Sequence, residues 1–206
     1  MSAEEVLPQL YETVALLENR DNSLTQWQML VKFGLLKVKP ALMKEILAVR
    51  DKLFSANDRV LGVLLRGTDY VDKKPFGHPI PPPVEFAIST IIVKMKEWNC
   101  NKVFLATEDR EILNNFKNIF GDLCITFDRE YPEYKNGQMI SLCRIDRPND
   151  HFLQGKDYLT QIVLLSQCNS FITARCSGAI GAVMMAEHFE HVLAFNLGRY
   201  GMISVD

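Results

Sequence analysis

The sequence predicts an α/β protein built on a Rossmann-like parallel sheet of about five strands, with helices on both faces and a short helical segment in front. Short, continuous apolar runs are typical of strands that are buried on both faces. These runs alternate with helical patterns, the arrangement that produces a parallel sheet. With 206 residues, of which 48% are hydrophobic and 23% charged, the chain is large enough to bury the core of such a domain.

The order of these patterns divides the chain into an N-terminal helical segment, 1–57, and a Rossmann-like domain, 58–206. The first part carries helical patterns at Glu4–Asn19, at Leu24–Phe33 and after Pro40. The predicted strands of the second part are Arg59–Leu65, Lys102–Ala106, Leu123–Phe127, Ser170–Thr173 and Val192–Phe195. The predicted helices are Val84–Trp98, Arg110–Phe120, Leu153–Gln167 and Ser177–His188. The stretch 128–152 has no periodicity, which indicates a functional loop or a small insertion.

Charge and composition argue against several classes of protein. A formal net charge of −2 does not suit a protein that binds nucleic acid through a basic surface. The apolar runs are far shorter than the ~20 residues that cross a membrane. Five cysteines without a Cys-x-x-Cys pair do not indicate a disulfide framework or a zinc site. The acidic N-terminus lacks the pattern of a secretory signal, so we expect a cytoplasmic protein with reduced thiols.

Ligands of open parallel sheets bind outside the carboxyl ends of the strands, where the strand order reverses. Arg66 follows the first predicted strand, where its guanidinium is suited to a bidentate contact with phosphate. Gly67 lets a ligand or another backbone segment approach closely. Thr68 and Asp69 are expected to hydrogen-bond sugar or phosphate, or to hold Arg66 in place. The pair of Arg66 and Asp69 is equally typical of a structural ion pair.

Two other strand ends carry polar residues at the same edge of the sheet. Ser177 and Gly178 open the helix after the fourth strand, where free N–H groups and the helix dipole favour an anion. Thr107–Asp109 follows the second strand, and this sequence is also typical of a plain helix N-cap, an alternative that applies to Ser177 as well. Together these residues favour a site for a phosphorylated ligand, such as a nucleotide or a nucleotide sugar.

Several familiar motifs are missing from the sequence. It contains no Gly-x-Gly-x-x-Gly, Walker or Gly-x-Ser-x-Gly pattern, which argues against dinucleotide, P-loop and serine-hydrolase sites. His188 and His191 have a spacing that suits a metal, but they fall at the opposite edge of the sheet, so no metal site is predicted. His78, on the loop after the first strand, is better placed to meet a ligand.

Five segments carry a family resemblance: VLGVLLRGTDY (60–70), GHPI (77–80), VFLATED (103–109), LLSQC (164–168) and FITARCSG (171–178). In this order they resemble the fucosyltransferases that use GDP-fucose, a group containing the α1,6-, nodulation-factor and protein O-fucosyltransferases. The resemblance implies the C-terminal, donor-binding half of a GT-B fold. It also implies inverting transfer of fucose to a glycan acceptor and a place in polysaccharide biosynthesis.

The resemblance assigns roles to particular residues. Arg66 would contact the β-phosphate and stabilise the departing GDP, without a metal ion or another cofactor. Asp69 would support the sugar and diphosphate region, and Ser177 and Gly178 would offer backbone contacts to phosphate. The implied donor site comprises Arg66, Gly67, Thr68, Asp69, His78, Thr107, Glu108, Asp109, Asp157, Gln161, Cys176, Ser177 and Gly178.

Three positions depart from the family pattern. Leu64 stands where the α1,6-enzymes have a histidine that contacts guanine, and Lys74 aligns with their candidate catalytic glutamate. Gln161 occupies the position of a guanine-reading acid, and the nearby Asp157 is a potential substitute. The remaining candidates for a catalytic base are Asp69 and Asp72.

The family has two lobes, and the resemblance covers only the lobe that binds the donor. We therefore expect a nucleotide-sugar donor as ligand, with residues for the glycan acceptor supplied by a partner lobe or by a second copy in a homo-oligomer. Two other functions stay open. One is a non-catalytic module that binds a nucleotide sugar or a carbohydrate, and the other is an unrelated nucleotide-binding enzyme, such as a phosphate-ester hydrolase.

Overall fold

The computed structural model describes residues 31, 34, 37–135 and 137–202. The helices of this part, numbered in chain order, are α1 (Pro40–Leu53), α2 (Asp69–Lys73), α3 (Val84–Glu97), α4 (Arg110–Phe120), α5 (Asp150–Ser166) and α6 (Ser177–Met185). The strands are β1 (Val60–Leu64), β2 (Lys102–Ala106), β3 (Cys124–Thr126), β4 (Ser170–Ala174) and β5 (His191–Phe195). The helices predicted at Glu4–Asn19 and Leu24–Phe33 lie outside the described residues, apart from Val31.

The strands form one parallel sheet in the order β3-β2-β1-β4-β5. Strand β1 lies at the centre, where Val63 pairs with Leu105 of β2 on one side and with Ile172 of β4 on the other. The strand order reverses between β1 and β4, so this is the position at which a parallel sheet offers a ligand crevice. The predicted Rossmann-like α/β fold is confirmed.

Each face of the sheet is covered by helices, which gives two apolar cores. On one face, Ile46 of α1, Leu164 of α5 and Val183 of α6 pack with the sheet residue Phe171. On the other face, helices α3 and α4 pack against a second set of sheet side chains. Alternate residues of β1 point to the two cores, and all five are buried. The unbroken apolar pattern of this strand therefore reflects burial on both faces.

The bounds of several elements differ from the predicted ones by one to three residues, and β3, α5 and α6 show why. Strand β3 is short because Gly121–Leu123 forms a 3-10 turn before it. Helix α6 ends at Met185 because Ala186 adopts an extended conformation, with φ −68° and ψ 137°. Helix α5 begins three residues earlier than predicted, at Asp150.

The stretch before α5 is irregular except for a 3-10 turn at Ile140–Leu142, and Asp150 anchors it. The Asp150 carboxylate accepts hydrogen bonds from the backbone N–H of Ile145 at 3.1 Å and from Arg147 Nε at 2.9 Å. Gln154 Nε2 donates to the same carboxylate at 2.7 Å and to the carbonyl of Cys143 at 2.9 Å. The first turns of α5 thus hold the preceding loop against the domain.

Two expectations drawn from composition concern the whole chain. All five cysteines are free thiols in the structure. Among the residues that the structure describes, none of the helices is both long and apolar enough to cross a bilayer.

Candidate functional site

The turn after β1 is held by the segment that follows β2. The backbone N–H of Gly67 donates to Glu108 Oε1 at 3.1 Å, and that of Thr68 donates to Asp109 Oδ2 at 3.1 Å. Thr68 has φ 47° and ψ −119°, a conformation that is unfavourable for a β-branched residue. Such a residue persists only where its surroundings fix it, and here the two carboxylates do so.

Asp109 performs two structural tasks in this arrangement. Its Oδ1 accepts hydrogen bonds from the backbone N–H groups of Glu111 and Ile112, at 2.8 and 3.2 Å, and so caps α4. Its Oδ2 holds the N–H of Thr68 and lies so close to Gly67 that an added Cβ would be 2.1 Å from it. The N-cap alternative is therefore correct for Asp109, and the same side chain shapes the turn.

Arg66 is held by two carboxylates and an aromatic ring. Its Nε lies 3.0 Å from Glu108 Oε1, and its Nη2 lies 3.5 Å from Asp69 Oδ1. The guanidinium carbon is 4.4 Å from the centroid of the Tyr70 ring. Burial alone would lower the pKa of Arg66, but the negative charge of Glu108 and smaller contributions from Cys176, Tyr70 and Tyr158 together outweigh it, and the pKa is raised. The guanidinium therefore stays charged, and two carboxylates do not saturate its five N–H donors.

A cavity of about 500 Å³ opens beside Arg66 and against α5; we call it the α5 cavity. Six of the predicted site residues line it: Arg66, Asp69, His78, Thr107, Glu108 and Gln161. These residues come from the ends of β1 and β2, from the loop after α2 and from α5. The cavity thus lies at the carboxyl edge of the sheet, as predicted.

The α5 cavity also contains residues that sequence reasoning missed. His151, Gln154 and Tyr158 line it from α5, on the same helix as the predicted Gln161. The spacing of these four residues, at three, four and three positions, places them on one face of the helix, and this polar stripe is a signal that the sequence does contain. Arg129, which follows β3, also lines the cavity and donates from Nη1 to Gln161 Oε1 at 3.2 Å.

Two buried polar atoms of the lining residues lack a hydrogen-bond partner within the described parts of the chain: His78 Nδ1 and Gln161 Nε2. Buried polar atoms are nearly always paired in native proteins, because an unmet one costs about 1–3 kcal/mol. Two such atoms around one cavity are the pattern expected where a ligand supplies the missing partners.

A second cavity, of about 580 Å³, lies on the other side of the turn and against α4; we call it the α4 cavity. Of the predicted site residues, it is lined by Gly67, Thr68, Asp72 and Asp109, and also by Arg66, which lines both cavities. Tyr134 lines it near Asp72. Burial and the negative charges of Asp72 and Asp69 raise the pKa of Tyr134 to about 12.

The start of α6 lies apart from both cavities. Cys176 is 1% exposed, and an added Cβ on Gly178 would be 2.6 Å from the Tyr158 hydroxyl, so this side chain covers the first turn of α6. Burial raises the pKa of the Cys176 thiol, while the nearby Arg66 lowers it in part. Cys176 is thus close to Arg66, but Cys176, Ser177 and Gly178 do not line either cavity.

Asp157 also lies apart from the described cavities. Its Oδ2 is 3.5 Å from Arg147 Nη2, in the network that anchors the loop before α5. At the opposite edge of the sheet, His191 stacks on the ring of Trp98, with ring centroids 5.0 Å apart.

The chain is similar to known proteins in structure but not in overall sequence. No protein-family model and no curated protein matches the sequence. Crystal structures of POFUT1 match the fold, one in complex with GDP (TM-score 0.53, 11% identity, 82% of this chain and 49% of that chain) and one in complex with GDP-fucose (TM-score 0.51, 9% identity, 78% and 47%). The fucosyltransferase NodZ from Bradyrhizobium gives a TM-score of 0.49 at 15% identity, over 81% of this chain and 47% of that chain.

The chain spans about half the length of each of these solved structures. At such low identities the likeness establishes the fold alone. The fold expected from the family resemblance is thereby confirmed, since the structural neighbours include fucosyltransferase NodZ and POFUT1, one POFUT1 structure being in complex with GDP-fucose. We conclude that the chain has the Rossmann-like fold of one part of the fucosyltransferase-like structures that it matches.

Proposed function

We propose that the α5 cavity binds a GDP-sugar donor, and that the inherited chemistry of the chain is inverting transfer of fucose to a glycan acceptor. The observation that carries this proposal is the position of Arg66. Its charged group is held at the switch point of the sheet and lines both cavities. A diphosphate beside Arg66 would join a nucleoside in the α5 cavity to a sugar that faces the α4 cavity.

The dimensions and donors of the α5 cavity support a nucleotide ligand. Its volume of about 500 Å³ falls within the range of ~300–1,000 Å³ that is typical of small-molecule sites. Arg66 and Arg129 offer positive charge, and Tyr158 offers an aromatic face. A diphosphate accepts hydrogen bonds and carries negative charge, so it complements these guanidinium groups.

The proposed reaction is a direct displacement at the anomeric carbon of fucose. The acceptor oxygen forms a bond to that carbon while the bond from the carbon to the diphosphate oxygen breaks, and the electron pair leaves with GDP. Arg66 stabilises the negative charge that develops on the diphosphate. Asp72 takes the proton of the acceptor hydroxyl, because it lines the α4 cavity and is exposed, whereas Asp69 is 7% exposed and faces Arg66.

We also propose that donor binding does not require a divalent metal ion, since Arg66 supplies positive charge at the diphosphate. Titration with GDP in the presence of EDTA, and again with added Mg²⁺, tests this point. The dissociation constants should agree within about twofold. A tenfold gain with Mg²⁺ would contradict the proposal and would favour a metal-dependent phosphate-ester hydrolase.

Titration calorimetry with GDP and GDP-fucose tests the donor site. The variant Arg66→Ala should weaken binding of both ligands at least tenfold, which is about 1.4 kcal/mol. Arg59→Ala is the matched control, because Arg59 stands at the other end of β1 and pairs there with Glu190. The proposal fails if neither ligand binds at millimolar concentration, or if the two arginine variants have equal effects.

A second candidate is a module that binds a nucleotide sugar without transferring it. It is favoured by Glu108 and Asp69, which offset part of the Arg66 charge. Hydrolysis of GDP-fucose, or transfer to oligosaccharides, separates the two candidates. Binding without turnover favours the module. Turnover that appears only with a partner lobe or in an oligomer favours an enzyme whose active site is completed by a second chain.

A further inference from the structure

The segment after β5 pairs with the loop that carries His78. The backbone N–H of Tyr200 donates to the carbonyl of His78 at 3.0 Å, and that of Gly77 donates to the carbonyl of Tyr200 at 2.8 Å. Further along the loop, the N–H of Ile80 donates to the carbonyl of Gly198 at 3.0 Å. These bonds form a short antiparallel ladder, which joins an edge of the sheet to the loop beyond its central strand.

Pro79 and Arg199 stand opposite each other in this ladder. The residues on either side of them make its hydrogen bonds, so the pair occupies a non-hydrogen-bonded position, where a proline loses nothing by lacking an N–H. The Arg199 side chain adds a bond that the backbone ladder does not contain, because its Nη1 donates to the carbonyl of Gly77 at 3.0 Å. Arg199 therefore fixes the peptide unit that joins Gly77 to His78.

His78 in turn contacts the residue that supports Arg66. The His78 ring meets the Tyr70 ring edge to face, with centroids 5.3 Å apart and an interplanar angle of 72°. The guanidinium carbon of Arg66 lies 4.4 Å from the centroid of the same Tyr70 ring. These three side chains line the α5 cavity, whereas Arg199 lines neither the α5 cavity nor the α4 cavity. Arg199 can therefore act on a ligand there through these contacts rather than by touching it.

We propose that Arg199 is a positioning residue for the α5 cavity. By fixing the carbonyl of Gly77, it keeps His78 packed against Tyr70. Tyr70 in turn keeps the Arg66 guanidinium at the place where a diphosphate binds. A group that is held in place before the ligand arrives loses little freedom on binding, so the ligand gains affinity. This inference rests on the proposed function, since it requires Arg66 to contact a diphosphate.

Calorimetry with GDP and GMP tests the inference, because GMP lacks the β-phosphate that Arg66 would contact. Arg199→Met removes the bond to Gly77 and should weaken GDP binding about fivefold or more. The same variant should change the affinity for GMP by less than about twofold, so the preference for GDP over GMP should fall. Arg199→Lys keeps an N–H donor at the end of a long side chain and should recover most of the lost affinity.

Arg50→Met is the matched control. Arg50 lies on α1 and pairs with Asp51, so its loss should leave both affinities within about twofold of the wild type. In the background of His78→Ala, Arg199→Met should also cost less than about twofold, because the contact through which it acts is already gone. Thermal unfolding of each variant shows whether it is folded.

A second measurement needs no nucleotide. Proton–nitrogen correlation spectra of the imidazole rings report on the four histidines of the chain, and the signal that disappears in His78→Ala belongs to His78. Arg199→Met should shift this signal, because it releases the peptide unit before His78. Arg50→Met should leave the signal in place.

The outcomes separate this inference from the function on which it rests. Equal losses for GDP and GMP in Arg199→Met would mean that the substitution disturbs the cavity as a whole, and would overturn the inference. An unshifted His78 signal, an undiminished effect of Arg199→Met in the His78→Ala background, or an Arg199→Lys variant as weak as Arg199→Met would overturn it as well. In each of these cases, Arg66-dependent binding of GDP keeps the proposed function intact. Failure of the wild-type chain to bind GDP would overturn both.

Discussion

The carboxylate of Asp109 joins two separate parts of the chain: its Oδ2 accepts a hydrogen bond from the backbone N–H of Thr68 at 3.1 Å, while its Oδ1 caps α4. The turn that carries Arg66 is thereby fixed to the start of a rigid helix. Groups that bind a charged ligand work best when they are held in place before the ligand arrives. The position of Arg66 consequently depends on Asp109, although Asp109 does not contact the Arg66 guanidinium and does not supply the positive charge that binds the ligand.

Replacing Asp109 should loosen this turn and destabilise the domain. In Asp109→Ala we expect the free energy of unfolding to fall by about 2–3 kcal/mol, since a helix cap and a buried hydrogen bond are both lost. Asp109→Asn keeps one acceptor and should lose less. Urea denaturation measures both values, and a variant Asp109→Ala as stable as the wild type would show that neither contact contributes.

Glycine is required at position 67 but not at position 155. A Cβ at Gly67 would lie 2.1 Å from Asp109 Oδ2, so Gly67→Ala should cost about 1–3 kcal/mol and displace Arg66. Gly155 lies inside α5 with nothing within 4 Å of an added Cβ. Gly155→Ala should therefore stabilise the chain by about 0.5–1 kcal/mol. Thermal unfolding of the two variants tests this contrast, and similar midpoints would contradict it.

If Asp72 is the catalytic base, its replacement should separate binding from turnover. Asp72→Asn should leave the affinity for GDP within about twofold, because Asp72 lines the α4 cavity and not the α5 cavity. The rate of fucose transfer should fall about 100-fold or more, as is typical when a general base is lost. The measurement is single-turnover transfer from GDP-fucose in a preparation that transfers. Full activity of Asp72→Asn would exclude this residue as the base.

Acid should weaken the anchor of the loop before α5. Burial alone would raise the pKa of Asp150, but the N–H of Ile145 and the guanidinium of Arg147 outweigh it, so the pKa is lowered from the ordinary value of 3.8. A lowered pKa in the folded state means that the stabilisation is present above pH 3.8 and is lost as the pH falls through the folded pKa.

Asp150→Asn cannot take up this proton, and its stability should depend less on pH than that of the wild type. Urea denaturation at about pH 7 and about pH 3 measures the difference. The two proteins should differ clearly in stability at neutral pH and converge in acid. An equal gap at both values would show that the charge of Asp150 is not the stabilising feature.

Much of the site could be predicted because it follows from the ends of strands. Arg66, Asp69 and Glu108 come directly after β1 and β2, and parallel pairing brings the carboxyl ends of these strands together. The apolar runs of the strands carry that information in the sequence. The predicted residues Arg66, Asp69, His78, Thr107, Glu108 and Gln161 accordingly line one cavity.

Other features depend on tertiary packing that no local pattern contains. Arg129 reaches Gln161 from 32 residues away, out of a stretch without periodicity. Tyr158 covers the first turn of α6, which depends on how α5 and α6 pack against each other. The sequence also gives no sign that Thr68 has a positive φ, because threonine rarely adopts this conformation. The conformation is imposed by the carboxylates of Glu108 and Asp109, which follow β2.

The central place of β1 in the sheet bears on how the protein matures on the ribosome. Val60, at the start of β1, donates its backbone N–H to Asn169, a residue 109 positions later that directly precedes β4. A nascent chain that already contains Arg66 therefore lacks one flank of its middle strand until most of the polypeptide has emerged. Contacts so distant in sequence slow folding, so this half-paired strand is the segment that a chaperone would have to shield.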